Sequence, residues 1–593
     1  MATRTASAAP YGIERSLSGK RWRWRGGNMD IGAGASGQDL ITQLLLARGV
    51  EPDDVERQRT PTLRAFLPDP SIFQDMKPAA ARIAQAVLSG EAVTVYGDYD
   101  VDGATSAALL IRLFKMLGAE ARYYIPDRLL EGYGPSGEAL VKLGEEGSSL
   151  IVTVDCGAMA FDALAQAHDA GIDVIVVDHH KCAGELPRAL ALVNPNRLDE
   201  CDEAAEHGHL AAVGVAFLLA IEVVRTLREQ GYFRSREEPD LMSLLDLVAL
   251  GTVADVAALH GLNRAFVSQG LKVMAKRQNT GMAALIDASR LNRAPLCSDL
   301  GFALGPRINA GGRVGESTLG VRLLTTEDPD EARDIAEQLS GLNEERRAIE
   351  REVQEAAEEL LSSQHNRSVH LLAGSGWHPG VIGIVAGRIK EKTGKPSLVV
   401  AIGEDGQGKG SGRSIAGVDL GAAIIAAREE GLLVAGGGHA MAAGLTVDAG
   451  RIEELGEWLD ERLANRVTKA LETQDMLLDI GVAPGGLVPE LVTMLDAAGP
   501  YGVGWPGPRV AVGPVALVKC DIVGTDHVRL IARGDDGKSF KGIAFRAADS
   551  ELGQNLLHGA KGRKLWLAGR VKIDDWGARP AAELHLEDAA WAD

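Results

Sequence analysis

Short apolar runs alternate with alanine-rich helical stretches between about residues 86 and 260. The run at 93–96 is followed by a helical stretch at 105–117 and by another run at 122–125. Short runs rich in β-branched residues and bounded by turn signals are typical of buried parallel strands. The alternation predicts an α/β lobe with a parallel sheet wrapped by helices. A second alternation starts near Val369 and predicts a second α/β lobe.

Between the two lobes the sequence predicts one long amphipathic helix. Apolar residues recur at three- and four-residue spacing from Ile335 to Leu360, amid charged residues. Arg346 interrupts this stripe, and Gly341 is its weakest position. We expect the stripe to face a core, although it would also suit a partner helix. After residue 500, short strands with charged turns predict an all-β barrel, and the length fits a five-stranded oligonucleotide-binding (OB) fold.

These patterns divide the chain of 593 residues, which is too long for one core, into five segments. A basic arm and helical segment occupy 1–85, and the first α/β lobe occupies 86–265. Connecting helices, including the long one, occupy 266–365. The second lobe occupies 366–468, and a linker with the barrel occupies 469–593.

Composition narrows the classes of function. The net charge is −20, and no apolar stretch approaches the ~18 residues of a membrane span. Five scattered cysteines without a Cys-x-x-Cys pair argue against a disulfide framework and a zinc site, so we expect a reducing, cytoplasmic location. An acidic chain that binds nucleic acid would need a confined basic groove.

One basic segment near the N-terminus has a distinct composition. Residues 20–25 interleave cations with Trp22 and Trp24, which suits phosphate contacts and base stacking. The alternative is an arm that packs on its own domain, and the sequence leaves both interpretations open.

Carboxylates and imidazoles follow three predicted strands and one further apolar stretch. In chain order they are Asp98, Asp100, Asp102, Asp155, Asp178, His179, His180 and Asp255. Ligands of open α/β sheets collect at the carboxyl ends of the strands, so we expect these side chains to converge. Carboxylates this close repel one another unless a cation holds them, and oxygen ligands with imidazole suit Mg²⁺ or Mn²⁺. For Asp255 the alternative is that it caps the next helix.

Four motifs in this order resemble the DHH phosphoesterase superfamily. They are residues 96–106, 154–157, 178–180 and 251–255, and the stretches 126–134, 304–313 and 377–386 are similar to the RecJ exonucleases within that superfamily. The resemblance implies a two-metal centre for Mn²⁺ or Mg²⁺ with Asp155 as the bridge. The implied metal ligands are Asp100, Asp102, Asp155, His179 and Asp255.

The same resemblance implies roles for three neighbours of the ligands. Asp98 would be an additional ligand or would orient water, and His180 would contact the scissile phosphate. Asp178 would support the ligands, although its position could equally serve the strand end.

Glycine-rich stretches in the second lobe, 408–414 and 436–444, resemble the DHHA1 domain that accompanies many DHH proteins. The resemblance assigns Ser411, Arg413 and Arg307 to the 5′-terminal phosphate, His439 to a phosphate near the cleavage site and Tyr133 to base stacking. Further expected nucleic-acid contacts in the matching stretches are Arg128, Asn309, Arg313 and His378. Residues 500–508 resemble the linker into the family's barrel.

Two positions depart from the family pattern. Trp505 stands where asparagine is usual, and Ala257 replaces a common proline after the fourth motif. Neither position is an implied ligand, so these departures concern local loop geometry.

The resemblance implies an exonuclease that degrades single-stranded DNA from 5′ to 3′ and releases 5′-mononucleotides in recombination and repair. The expected partners are a helicase and the single-strand-binding protein, and the expected state is a monomer. One alternative is a DHH enzyme for short oligonucleotides or small phosphoesters, which the C-terminal barrel argues against. Another is a non-catalytic DNA-binding scaffold, which the full set of ligands argues against.

Overall fold

The computed structural model describes residues 9–26, 30–31, 37–127, 131–132, 134–364, 366–472, 475–574 and 580–592. Its N-terminal segment precedes the first lobe. The elements of this segment are β1 (Arg21–Trp24), β2 (Asp30–Ile31), α1 (Gly37–Ala47), α2 (Val55–Arg59), α3 (Leu63–Phe66) and α4 (Met76–Ser89).

The first lobe is a parallel sheet with the strand order β4-β3-β5-β6-β7, wrapped by helices. Its elements are β3 (Val93–Gly97), α5 (Val101–Met116), β4 (Ala121–Tyr124), α6 (Gly137–Glu145), β5 (Leu150–Val154), α7 (Phe161–Asp169), β6 (Asp173–Val177), β7 (Ala191–Val193), α8 (Asp202–Ala205), α9 (Ala212–Glu229), α10 (Leu245–Ala254) and α11 (Gly261–Met274). The alternation in the sequence therefore predicted this sheet correctly.

The central strands of this sheet end side by side. Every residue of β3 and β5 is buried, which explains why these strands are continuous apolar runs rather than alternating ones. Gly97 pairs with Val154, and Val154 pairs with Val177, so β3, β5 and β6 finish in register. The residues that follow the three strands consequently emerge at one edge of the sheet.

A group of helices connects the two lobes. These helices are α12 (Thr280–Ala288), α13 (Cys297–Asp299), α14 (Gly305–Val314), α15 (Leu319–Thr325) and α16 (Pro329–Leu361). α16 is the long amphipathic helix that the sequence predicts, and its apolar stripe joins the cores of both lobes. The interrupting residue Arg346 is also buried. Its charge is compensated there, since Glu350 pairs with it at 2.8 Å and Asn343 accepts two further hydrogen bonds.

The second lobe contains a mixed sheet with the strand order β11-β12-β10-β9-β8. Its elements are β8 (His370–Ser375), α17 (Ile382–Thr393), β9 (Ser397–Ile402), β10 (Gln407–Arg413), α18 (Leu420–Glu429), β11 (Ala435–His439), β12 (Ala442–Asp448) and α19 (Ile452–Glu472). The first two strands of this lobe, β8 and β9, pair in parallel, and the remaining neighbours pair antiparallel.

The C-terminal part forms the expected all-β barrel. Its elements are β13 (Asp475–Leu478), β14 (Ile480–Val482), α20 (Pro489–Asp496), β15 (Val510–Val523), β16 (His527–Gly534), β17 (Ser539–Ala544), α21 (Glu551–Gln554), β18 (Lys564–Asp574) and β19 (Ala581–Trp591). β15 pairs with both β18 and β16, which closes the barrel in the order β15-β16-β17-β19-β18. The apolar runs at 510–512 and 515–519 belong to one strand, because a register shift between Val512 and Val515 lets β15 bend without ending.

The basic N-terminal arm packs on the barrel rather than presenting its indoles to solvent. β1 pairs in parallel with β13, and Trp22 is fully buried with its Nε1–H donating to Asp588 Oδ2 at 2.9 Å. Arg21 pairs with Asp475 at 3.0 Å. Of the two interpretations that the sequence left open, packing on its own domain is the one observed, and stacking of bases on Trp22 is wrong because its ring is covered.

Trp505 lies where three parts of the chain contact one another. Its indole is 8% exposed and lies between two guanidinium groups, with Arg48 at 5.0 Å and Arg264 at 4.8 Å from the ring centroid. Arg48 follows α1 and pairs with the buried Asp479, whereas Arg264 lies on α11 and donates to the carbonyl oxygen of Ala498 at 2.6 Å. This arrangement joins the N-terminal segment, the first lobe and the barrel. Among the described helices, none is long and apolar enough to cross a bilayer.

Candidate metal centre and phosphate pocket

The loop between β3 and α5 begins the candidate metal centre. Asp98 is 4% exposed directly after β3, and Asp100 is the N-cap of α5, where its Oδ1 accepts from the backbone N–H of Asp102 at 2.8 Å and of Gly103 at 3.1 Å. A Cβ at Gly103 would lie 2.4 Å from the Asp98 carbonyl oxygen. Glycine is therefore required for the helix start to come this close to the strand end.

Asp102 is oriented by another helix. Its carboxylate is fully buried and accepts from the backbone N–H groups of Ala212 at 2.6 Å and Val213 at 2.9 Å, at the start of α9. Helix N-termini favour negative charge, so α9 holds this carboxylate at the edge of the sheet. Each oxygen retains a lone pair that can face a cation.

His179 has the tautomer that a metal ligand needs. Because a carbonyl oxygen only accepts, the 3.0 Å contact with Leu210 places the proton on Nδ1 and leaves a lone pair on Nε2. That Nε2 lies 3.2 Å from Asp155 Oδ1 and 3.9 Å from Asp102 Oδ2. A lone pair that faces two carboxylate oxygens is repelled by them, and a cation between these atoms would convert the repulsion into attraction.

The remaining carboxylates complete three overlapping groups. Within each group the candidate ligand atoms lie within 4.8 Å of one another. The groups are Asp155 with His179 and His180; Asp102 with His179 and Asp255; and Asp98 with Asp100 and Asp155. All the ligands implied by the resemblance therefore converge, and Asp155 and His179 each belong to two groups. Asp255 is the C-cap residue of α10, and the N-cap residue of α11 is His260, so the alternative in which Asp255 caps the next helix is wrong.

The charges of this cluster fit a cation. Burial raises the pKa of Asp155 well above its ordinary value, and repulsion from Asp100 and Asp102 raises it further. Burial and repulsion by neighbouring carboxylates raise the pKa of Asp102 and of Asp255 in the same way. The fully ionised cluster is thus unfavourable without positive charge, and divalent cations supply it. The donor set of carboxylate oxygens with imidazole suits Mg²⁺ or Mn²⁺.

Asp178 and His180 form a separate pair beside the cluster. Asp178 is 1% exposed, and its oxygens accept from the backbone N–H groups of His179 and Ala158 at 2.7 and 2.9 Å and from His180 Nδ1 at 2.7 Å. Burial alone would raise the pKa of Asp178, but the hydrogen bond and charge of His180 lower it to about 2. Conversely, burial opposes protonation of His180, and Asp178 raises its pKa to about 9. His180 therefore keeps Nδ1 on Asp178, which fixes the orientation of its ring beside the cluster.

A cavity of about 460 Å³ lies in the second lobe beside α17. β10 supplies one wall through the alternation of its residues. Gly408, Gly410 and Gly412 face the core, where a Cβ would come within 2.6–2.8 Å of packed aliphatic side chains. The opposite face presents Lys409, Ser411 and Arg413 to the cavity.

Arg413 is the central cation of this pocket. Its NH1 donates to Ser411 Oγ at 3.1 Å and to the Gly412 carbonyl oxygen at 2.9 Å. Burial lowers its pKa, and no neighbouring carboxylate compensates within the part of the chain that the structure describes. A guanidinium that is withdrawn from water without a counter-ion is typical of an anion-binding site, and its geometry matches phosphate.

Helix α14 connects the pocket with the metal centre. A Cβ at Gly312 would lie 2.6 Å from the Tyr99 carbonyl oxygen, so α14 contacts the loop between Asp98 and Asp100. The next residue, Arg313, lines the 460 Å³ pocket. Consecutive residues of α14 therefore contact the loop of the metal centre and line the phosphate pocket.

Comparison with known proteins agrees with this arrangement. Three family models match the chain: the DHH family, N-terminal domain, at residues 92–252, the DHHA1 domain at 353–465 and the RecJ OB domain at 478–588. The single-stranded-DNA-specific exonuclease RecJ of Dickeya dadantii is 38% identical over 92% of this chain and 95% of its own length. The Escherichia coli RecJ is 36% identical over 93% and 95% of the two chains. The chain belongs to the RecJ family.

A solved RecJ structure also matches the whole architecture. The crystal structure of RecJ in complex with Mn²⁺ from Thermus thermophilus superimposes with a TM-score of 0.74 at 29% identity, covering 96% of this chain and 79% of that one. The match includes both lobes, the long helix and the barrel. The two-lobe RecJ architecture with an OB-fold barrel, which the sequence predicted, is therefore confirmed.

The structure distributes the other predicted contacts of this RecJ-family chain over two cavities. Ser411, Arg413 and Arg313 line the 460 Å³ pocket. Gly380 connects His378 with Arg313, since the Gly380 N–H donates to His378 Nδ1 at 3.0 Å and the Gly380 carbonyl oxygen accepts from Arg313 at 2.8 Å. Asn309 and Arg313 line a larger cavity.

Neither Arg307 nor His439 is among the residues that line the 460 Å³ pocket. Arg307 instead donates to Ser340 Oγ at 3.1 Å and to the Ala303 carbonyl oxygen at 2.7 Å. His439 is exposed at the end of β11. The predicted contacts Arg128 and Tyr133 lie outside the described residues.

Sequence reasoning missed Lys409 in the phosphate pocket and the aromatic and cationic residues of the larger cavity. Lys409 had a signal, because it alternates with Ser411 and Arg413 on one strand face. The larger cavity had none, because its walls come from segments that are hundreds of residues apart.

Proposed function

We propose that this chain is an exonuclease specific for single-stranded DNA that degrades its substrate from the 5′ end and releases 5′-mononucleotides. The observation that carries the proposal is the pairing of a carboxylate–imidazole centre with a cationic pocket, bridged by α14. A terminal phosphate in the pocket would place the first phosphodiester beside the centre. Cleavage there releases one nucleotide at a time and requires a free end.

Five side chains would hold two divalent cations at this centre: Asp100, Asp102, Asp155, His179 and Asp255. When bound, Mn²⁺ or Mg²⁺ ions supply Lewis acidity for the attack of water on a phosphodiester. The site of Asp98, 4% exposed at the end of β3, suits a further ligand or a group that orients water. Asp155 belongs to two of the three clusters, so its carboxylate is suited to bridge the ions.

The remaining groups act on the substrate. His180 would donate from Nε2 to the scissile phosphate, since Asp178 keeps the ring protonated and oriented. Asp178 is therefore a positioning residue, because its own oxygens are occupied by backbone N–H groups and by His180. Arg413 and Ser411 would bind the 5′-terminal phosphate, and Arg313 and His378 would support that end of the strand.

A digestion of end-labelled DNA tests the proposal. Purified protein is incubated with Mn²⁺ and matched 5′-labelled and 3′-labelled single strands, with duplex and RNA controls. We expect immediate release of labelled mononucleotide from the 5′ end alone, and a chelator should stop it. Loss of only di- to pentanucleotides would favour an enzyme for short oligonucleotides.

Substitution at the centre separates an enzyme from a scaffold. Asp155→Ala should abolish turnover and leave strand binding in place. If the wild type binds single strands without cutting them, and if Asp155→Ala does not change this binding, the chain is instead a DNA-binding scaffold.

The proposal includes the cellular setting of the reaction. A helicase would supply the single-stranded substrate in the cytoplasm. The single-strand-binding protein would be bound to the same strand. We propose that the chain acts as a monomer, because the centre and the pocket are both built from one chain. Light scattering should give the mass of one chain, and digestion of duplex DNA should begin only when a helicase is added.

A further inference from the structure

A cavity of about 1230 Å³ lies where the connecting helices, α17 and the barrel meet. Among the described residues, seven Arg or Lys and five Asp or Glu side chains line it, an excess of positive charge in a chain whose net charge is −20. Some of the acidic groups are held by neighbouring cations. Glu350, for example, lies 2.8 Å from Arg346 and 3.4 Å from Arg388.

Three further arginines in these walls are available to an anion. No described carboxylate lies within ion-pair distance of Arg347, Arg351 or Arg546. Burial lowers the pKa of Arg307 on α14, and the nearby positive charge of Arg347 lowers it further, so two cations lie close together beside this cavity. Such crowding is unfavourable in the free protein and is relieved by a polyanion.

Two exposed aromatic rings share the cavity with these cations. The chain has ten phenylalanines, all within the described residues, and only Phe302 and Phe545 are exposed. Both line the same cavity. Single exposed apolar side chains are ordinary, but two aromatics in one cationic cavity are an arrangement suited to bases and phosphates together.

Phe302 stands out from the connecting helices. It is 81% exposed in the π-helical turn Leu300–Leu304, whose end residues Leu300 and Leu304 are fully buried. The buried ends anchor the turn, so the position of the exposed ring is set by the backbone. The ring itself has its faces open to solvent.

Phe545 projects from the barrel, directly after β17. It is 52% exposed, and its ring meets His527 and His585 edge to face, with centroid distances of 5.3 and 5.1 Å. The two histidines limit the orientations of the ring. A ring that is already ordered loses little conformational entropy when a base stacks on it.

We propose that Phe302 and Phe545 are stacking positions for two bases of the substrate strand on the 3′ side of the cleavage site. The inference rests on the proposed function. Arg313 lines both cavities, so a strand whose 5′ phosphate occupies the 460 Å³ pocket continues into the larger one. The arginines there neutralise its phosphates, and the two rings, one from the connecting helices and one from the barrel, bind its bases without selecting a sequence.

A cycle that pairs protein and DNA substitutions tests this proposal. Affinities for a 5′-phosphorylated 12-mer are measured by fluorescence anisotropy with EDTA, for the wild type and for Phe302→Ala, Phe545→Ala, Phe302→Leu and Phe545→Leu. A set of 12-mers, each with one abasic position, is measured in parallel. We expect each alanine variant to bind the intact strand about 5- to 150-fold more weakly, and each leucine variant to be weakened as well, because leucine keeps apolar volume but has no aromatic face.

The abasic strands identify the mechanism. For each ring there should be one position where removing the base weakens binding to the wild type but not to the alanine variant. The control Leu198→Ala removes a side chain that is 75% exposed outside the cavity and should bind like the wild type. Arg351→Gln should instead weaken binding to every strand and lower the slope of log Kd against log salt by about 1, because Arg351 would contact phosphate.

Two results would overturn the inference. The first is that the alanine variants bind the intact strand as tightly as the wild type does. The second is that, at every abasic position, the loss of affinity from the alanine substitution and the loss from base removal are simply additive. If the wild type digests 5′ ends as proposed while either result is found, only the stacking inference fails. If the wild type neither cuts nor binds single strands, the proposed function fails together with it.

Discussion

Replacing Arg413 by glutamine should remove the preference for a 5′-phosphorylated end that we propose for this chain. Arg413 has a partly buried guanidinium that donates to Ser411 Oγ and to the Gly412 carbonyl oxygen and has no compensating carboxylate among the described residues. Glutamine keeps part of the length and a donor but removes the charge and the planar fork. The variant tests whether this cation is present to bind phosphate or only to support the strand β10.

The size of the effect follows from the geometry. One hydrogen bond to a charged partner contributes about 1.5–3 kcal/mol, which corresponds to a factor of about 10 to 150. We therefore expect the wild type to use a 5′-phosphorylated 12-mer about 10- to 150-fold more efficiently than the same strand with a 5′-hydroxyl. In Arg413→Gln most of that ratio should disappear. Folding stability should not fall, because the variant no longer buries an uncompensated charge.

The assay compares kcat/KM for the two strands in the wild type, in Arg413→Gln and in the control Arg451→Gln. Arg451 lies in the same lobe but is on the surface, where it pairs with Glu454 at 2.9 Å. The control should keep the phosphate preference. The reasoning is refuted if Arg413→Gln lowers kcat/KM equally for both strands, or if the wild type does not distinguish them.

Three further outcomes are expected. Trp505→Asn, which restores the usual residue of the family, should destabilise the protein by about 3–5 kcal/mol in urea unfolding, because it empties a buried site between two guanidinium groups. Asp178→Asn should lower the pKa of His180 from about 9 toward its ordinary 6.5, measured by NMR titration of the ring without metal, and kcat/KM should fall with it. His370 is 2% exposed, and burial lowers its pKa to about 4, so as pH falls below 6.5 the unfolded state binds the proton first. The free energy of unfolding of the wild type should thus fall by up to about 3 kcal/mol between pH 6.5 and 4, and His370→Leu should not show this loss.

The metal centre could be predicted from the sequence because its geometry is local to strand ends. β3, β5 and β6 are short buried runs, and parallel pairing brings Gly97, Val154 and Val177 into register. The residue after each strand then has little freedom in where it emerges. What the pattern could not supply is the orientation of each group, such as the hydrogen bond from His179 to Leu210 that fixes the tautomer.

Contacts between distant segments were beyond sequence reasoning. The arm at residues 20–25 has a composition that suits DNA, but Trp22 finds Asp588, 566 positions away, and the indole is buried. Arg307 lies in a stretch that matches the family, yet it faces Ser340 on α16 rather than the phosphate pocket. Composition describes which contacts a side chain can make, whereas the tertiary fold decides which of them it makes.

The acidity of the chain is compatible with a nucleic-acid substrate because of where the charges lie. Part of the negative charge belongs to the carboxylate cluster, where burial and mutual repulsion raise the pKa of Asp155 and of Asp255 and where cations would stabilise the ionised form. Arg413 and the arginines of the larger cavity place positive charge along two cavities that share Arg313, whereas the net charge of the whole chain is −20. A phosphate backbone is therefore repelled by most of the surface and attracted at one path. Because that path is a cavity rather than an open face, it favours a strand that can bend and unstack its bases, which a duplex cannot do without melting.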